Sequence, residues 1–166
     1  MQKAQTLRAA IEAALPGLTK DPERFWMVAT KGNINKTTSA SPNFQWSYTL
    51  ELDFRETTCH PSLIFYAINQ WAGRNQPELL GYDRPGYPFE AEDLDSEKVD
   101  LHIELPLTEK VVVTTTDGGA LALQHLDEAD LSFLAGGPVL GMLKDVWATT
   151  GKGAAKITDH VWPKQP

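Results

Sequence analysis

Cysteine is almost missing from this chain of 166 residues: Cys59 stands alone. A lone thiol excludes an intramolecular disulfide and any metal site built on a cysteine cluster. No apolar run approaches the roughly 20 residues that cross a bilayer, so no membrane-spanning helix is expected. The opening MQKAQTLRAAIEAALPGL alternates its alanines with Gln, Arg and Glu and lacks the apolar core of a signal peptide. Cytoplasmic folding is the natural expectation. Basic residues are also scarce, 15 Lys and Arg against 22 Asp and Glu, for a net charge of -7. Surfaces that grip nucleic acid tightly neutralise phosphates with clustered Lys and Arg, and no such cluster exists here. Internal repeats and low-complexity tracts are missing as well.

What is present is ordinary globular material, 42% hydrophobic and 22% charged. A domain of roughly this length buries about 68–70% of its unfolded surface and needs no staples. Residues 3 to 15 place Leu7, Ala10, Ile11, Ala14 and Leu15 on one helical face, and Pro16-Gly17 ends that helix. Asp21 is placed to cap a short turn that opens on Pro22. Phe25 to Thr30 reads as a strand and 31–43 as a polar loop. FQWSYTLELDF, from Phe44 to Phe54, alternates without a break and predicts a long strand with one buried face. Such strands belong to antiparallel or mixed sheets. Pro61 to Asn75 reads as a helix capped by Thr58, with Leu63, Ile64, Ala67, Ile68 and Trp71 as its apolar stripe. Trp71 is thus a core anchor rather than a ligand contact. Pro77 stops the helix, leaving Asn75 and Gln76 to satisfy its last carbonyls or begin the turn. PFEAED, VDLHIELPL and KVVVTTT are three further strands, and DGG at 117–119 is a hairpin signal leading into ALALQHL. The fold class expected is α+β: an antiparallel or mixed sheet of four to six strands, packed by two main helices, with a C-terminal extension. The domain is bounded at 1–126 and the extension, a docking arm, at 127–166. Within the arm, Val139, Leu140, Leu143, Val146 and Trp147 form an amphipathic piece, and 149–156 reads as a flexible linker.

Chemistry is thinly signalled. The histidines at 60, 102, 125 and 160 lack the i, i+4 spacing of a helical metal pair. Asp100, His102 and Glu104 could form a ligand ladder on one strand face, although a solvated polar face has the same pattern. Cys59-His60 lacks any nucleophile signature, so the thiol is read as structural. One distributed feature remains: Glu51, Asp53, Glu90, Glu92, Asp100 and Glu104 all fall on polar strand faces. Sharing one sheet, they would make a strongly acidic surface, either merely solvated or able to repel phosphates from the wall of a DNA conduit.

Three spaced motifs carry a family likeness: L-P-x-L-x-x-x-P-x-R over 15–24, W-x-x-x-N-Q-P over 71–77 and E-L-P-L-T-E over 104–109. With NFQWSYTLELDF and FEAEDLDSEKVDLHIELPLTEKVVV in the same order, the chain resembles the tail completion protein R (GpR) family of contractile-tailed phages and related prophage particles. The likeness covers roughly residues 7 to 126 and fades beyond.

That resemblance implies a virion structural protein, assembled in the host cytoplasm, rather than an enzyme. It implies a cap that completes the tail, a ring (hexameric) at the head-proximal end that joins tail to head. The partners implied are further copies of itself, tail tube and sheath proteins, and neck or connector proteins. DNA would pass through without specific binding, and no cofactor, metal or catalytic residue is transferred. On this reading Glu51, Asp53, Asp100 and Glu104 are the candidate acidic lumen face. Trp26, Tyr82, Tyr87, Phe133, Leu143, Trp147 and Trp162 are the candidate interface residues, as apolar groups outside the core stripes. The alternatives are an adaptor elsewhere in a phage-derived tail, or a metal-dependent nuclease using the Asp100/Glu104 face.

Overall fold

The alternation of FQWSYTLELDF becomes the strand β2 (Phe44–Thr57), whose Tyr48, Leu50, Leu52 and Phe54 are buried on one face. The computed structural model describes residues 1–36, 40–81, 83–84, 86–94 and 98–128, and the backbone of 147–150 and 153–156. Around β2 lie α1 (Gln2–Ala14), β1 (Phe25–Asn35), α2 (Pro61–Asn75), β3 (Phe89–Asp93), β4 (Val99–Thr115) and β5 (Leu121–Leu126). The strands form one antiparallel five-stranded sheet in the order β1-β2-β4-β3, with β5 also paired to β4. The result is an α+β fold. Both helices lie on one face and bury Leu7, Ile11, Ile64, Ala67, Ile68 and Trp71 against Leu50, Leu52, Leu101, Ile103 and Leu105. Trp71 is a core anchor, and its indole N–H donates to Thr6 Oγ1 on α1 at 3.1 Å. Among the described residues no helix is long and apolar enough to cross a membrane.

Four local expectations are corrected. VDLHIELPL and KVVVTTT are not two strands but the single 17-residue β4. Pro106 fails to break it because of where its nitrogen points. The Glu104 N–H donates outward to Pro88 O at 3.1 Å, on the β3 side. By strand alternation the nitrogen of Pro106 faces the same side, in the stretch between the residues paired with β3 (99–103) and with β5 (110–115). A missing N–H there leaves no ladder bond unmade. The polar loop expected from Lys31 instead continues β1 to Asn35 after a bulge at Lys31, which has a positive φ of 51°. The cap of α2 is His60, not Thr58: the helix opens on Pro61, so the capping position falls on His60, whose Nδ1 accepts from the Ser62 N–H at 3.2 Å. The stretch 149–156 is no linker along its described length, since Trp147–Thr150 (β6) and Gly153–Lys156 (β7) pair antiparallel.

Other expectations hold. The DGG hairpin closes with the Thr116 N–H on Ala120 O at 2.8 Å, and Gly119 takes the positive φ of 80° that the turn requires. Asp21 does precede the Pro22–Arg24 turn, but its carboxylate pairs with Arg24 Nε at 2.6 Å and makes no cap bond.

Candidate functional surface

The helices cover one face of the sheet, and the other carries the acids. Register places Glu51 opposite Glu104, Asp53 opposite His102, Glu90 opposite His102 and Glu92 opposite Asp100. All six carboxylates named from the sequence therefore share the outer face, the four lumen candidates Glu51, Asp53, Asp100 and Glu104 among them. The surface is partly compensated. His102 Nδ1 lies 2.9 Å from Asp53 Oδ1, Lys31 Nζ donates to Glu104 Oε1 at 3.1 Å, and Thr30 Oγ1 donates to Glu51 Oε1 at 2.6 Å. Asp100 Oδ1 accepts from the Glu56 N–H at 2.6 Å, bracing the bulge at the end of β2, where Glu56 has a positive φ of 44°. The Asp53 bond raises the His102 pKa above its ordinary value; burial opposes it, and the Asp53, Glu51 and Glu104 charges add to the rise. The face thus favours a proton on His102. Among the described residues no group of His, Cys, Asp and Glu is arranged to hold a metal ion.

Of the interface candidates, Trp26 lies on this outer face opposite Asp53, 40% exposed, with the Arg55 guanidinium 4.3 Å above its ring. Tyr87 packs at the rim of the core, its hydroxyl donating to Asn69 Oδ1 at 2.8 Å, and burial pushes its pKa up to about 12. Trp147 begins β6. Tyr82, Phe133, Leu143 and Trp162 lie outside the described residues. The Cys59 thiol is pushed up to about 12 by burial, and His60 turns its ring nitrogen to its own helix, so the pair makes no nucleophile and base.

Sequence reasoning missed a buried polar node at the corner where α1, β4 and β5 meet. Glu109 is almost fully buried, and its carboxylate accepts from Tyr48 OH at 2.6 Å, from the Gln2 N–H at 3.0 Å and from the Lys3 N–H at 3.3 Å. His125 Nδ1 approaches the same carboxylate at 2.9 Å. A carboxylate from the sheet therefore occupies the N-terminus of α1, where unpaired N–H groups and the helix dipole favour negative charge. Burial alone would raise the Glu109 pKa; the Tyr48 hydroxyl, the Gln2 and Lys3 amides and the amino terminus outweigh it and hold it below the ordinary value. Beside it, Gln76 Oε1 accepts from Lys3 Nζ at 2.8 Å and from the Thr108 N–H at 3.1 Å. Gln76 thereby fills the open edge of β4 beyond Pro106, while Asn75 Nδ2 takes the helix carbonyl of Trp71 at 2.8 Å. The available signal was parity: Glu109 continues the inward positions 99, 101, 103, 105 and 107, where a charge demands a buried partner. W-x-x-x-N-Q-P and E-L-P-L-T-E thus meet in space through Gln76 and Thr108, with Lys3 linking Gln76 to Glu109.

Comparison with known proteins bears on this arrangement. The family model described as P2 phage tail completion protein R (GpR) matches residues 1–129. The tail completion protein R of Escherichia phage P2 is 30% identical over 131 residues, covering 77% of this chain and 84% of that relative. No solved structure matches.

Proposed function

The chain belongs to the P2 phage tail completion protein R (GpR) family, and on that premise we propose that it is a virion structural protein that completes the phage tail. It acts as a terminator: copies close into a ring, a hexamer, at the head-proximal end of a contractile tail, stack on tube and sheath, and present the joint for the neck or connector. The observation that carries this reading is the family match across residues 1–129. The shared acidic face supports it, since a wall of one charge sign repels phosphate and lets DNA pass without specific binding. The division at residue 126, with 127–166 as a docking arm, belongs to the same reading, as do the interface roles of Trp26, Tyr87, Phe133, Leu143, Trp147 and Trp162. No catalytic role is proposed.

The test is electron microscopy of particles assembled without the protein. Overlong, unjoined or headless tails are expected, whereas normal infectious particles would refute the reading. Normal tail ends with the protein located elsewhere on the particle would favour an adaptor. Removing residues 129–166 should leave the globular part folded and weaken tail attachment; unchanged attachment would make the arm dispensable.

A further inference from the structure

Among the described residues the sheet ends in three edge strands, β1 on one side and both β3 and β5 on the other, of which β1 and β3 form a matching pair. Each of that pair is exposed in a way that a finished surface avoids. Val28 on β1 is 51% exposed and Phe89 on β3 is 54% exposed, and all five residues of β3 are exposed.

The hydrogen-bonding parity of the edges follows from the register. Because Glu104 donates to Pro88 O, the residue after next, Glu90, also turns its backbone to β4, whereas Phe89, Ala91 and Asp93 turn theirs away from it. Carrying the alternation across β4 and β2 makes Trp26, Val28 and Thr30 face β2, while Met27 and Ala29 face outward. The two outward rows match in length, with six residues of regular β1 before the bulge at Lys31 and five in β3.

They also match in orientation. Strand direction alternates along β1-β2-β4-β3, so four strands return the pattern to its start. A second copy in the same orientation can set its β1 antiparallel to β3 of the first. The contact is head-to-tail, the kind that closes into rings. Side chains suit the seam. On the helix-bearing face Phe89 and Ala91 would meet Met27 and Ala29. On the outer face Glu90 and Glu92 would meet Trp26 and Val28, with Arg55 over Trp26 and Lys31 at the bulge supplying positive charge. β3 carries three acids and no base, and β1 one lysine and no acid.

We infer that β1 of one copy pairs antiparallel with β3 of the next, making one continuous sheet through the assembly. This rests on the ring reading above and assigns its seam. Every copy then turns its acidic face the same way.

The test is sedimentation velocity on the full-length chain, with cryo-electron microscopy of tails that carry it. Ala91→Pro removes one outward N–H and leaves the β4 ladder intact. The double variant E90K/E92K reverses the charge. Both should keep the wild-type circular dichroism spectrum and melting temperature yet raise the concentration for half-assembly at least tenfold. Adding K31E/R55E to E90K/E92K should restore assembly. Folded variants that assemble like the wild type overturn the seam and leave the ring standing. A wild-type chain that is monomeric in solution and present as a single copy on tails overturns both. Ala120→Pro, in the hairpin turn away from the seam, controls for nonspecific effects and should assemble normally; its loss of assembly alongside Ala91→Pro overturns the assignment to β3.

Discussion

Glu109 shows how one side chain ties the chain's start to its sheet. Its carboxylate serves a tyrosine hydroxyl and two backbone amides at the head of α1. Replacing it with glutamine keeps the shape but turns an amide N–H toward groups that also donate, at a cost of about 1–3 kcal/mol. Thermal unfolding should register this as a fall of about 2–4 °C per kcal/mol for a chain of this size. The pH dependence has a definite sign. The folded pKa of Glu109 lies below its ordinary 4.5, so its stabilisation is complete above that value and fades as pH falls through the lower folded value. Wild type should therefore lose stability below about pH 4.5 more steeply than Glu109→Gln. Equal slopes would mean that Glu109 is not the titrating group. His102 works oppositely. Its raised pKa stabilises fully below its ordinary 6.5 and ceases to do so as pH rises through the folded value, but the pair with Asp53 is exposed enough that the effect is small.

Among the elements, β4 is the organiser: it pairs with β2 along one side and with both β3 and β5 along the other. Its tolerance of Pro106 yields a paired prediction. Pro106→Thr should change stability by no more than about 0.5 kcal/mol, because no ladder bond is gained or lost. Glu104→Pro deletes the N–H that holds Pro88 and should cost about 1–3 kcal/mol. Hydrogen exchange should show β3 amides losing protection in Glu104→Pro alone, and protection lost equally in both variants would contradict the assigned parity. The same strand shows what a sequence can disclose. Alternation from Val99 to Leu107 displayed the buried face, and the helical stripe through Trp71 displayed what covers it, because period and hydrophobicity are local properties. The gap at Thr108–Glu109 between the two expected strands closes because the inward charge of Glu109 is met by Tyr48, Gln2 and Lys3, all distant in sequence. Lys31 looked like the start of a loop for a similar reason: its bulge is stabilised by pairing of Asn33 to Asn35 with β2. The outer acidic face was legible in full by parity. The Glu109 node was not, since its partners lie 61, 106 and 107 positions away.

At the scale of the whole molecule, a net charge of -7 is distributed unevenly. One face of the sheet is closed by helices, and the other gathers Glu51, Asp53, Glu90, Glu92, Asp100 and Glu104. Fold stability gains little from those charges, because exposed pairs such as Lys31–Glu104 contribute about 0–1 kcal/mol. Under the proposed function their value lies in the field that they project, which at physiological salt decays over about 8 Å. Such a field acts only on a ligand that passes close by, as DNA inside a ring would. Neutralising four positions together, Glu51→Gln, Asp53→Asn, Asp100→Asn and Glu104→Gln, separates the two roles. The variant should fold and melt within a few degrees of the wild type, complete tails and join heads. Its wall should then repel phosphate less than the wild type's does, so genome ejection should slow. Ejection at the wild-type rate would reduce the acidic face to a solvated surface and remove the lumen role from it.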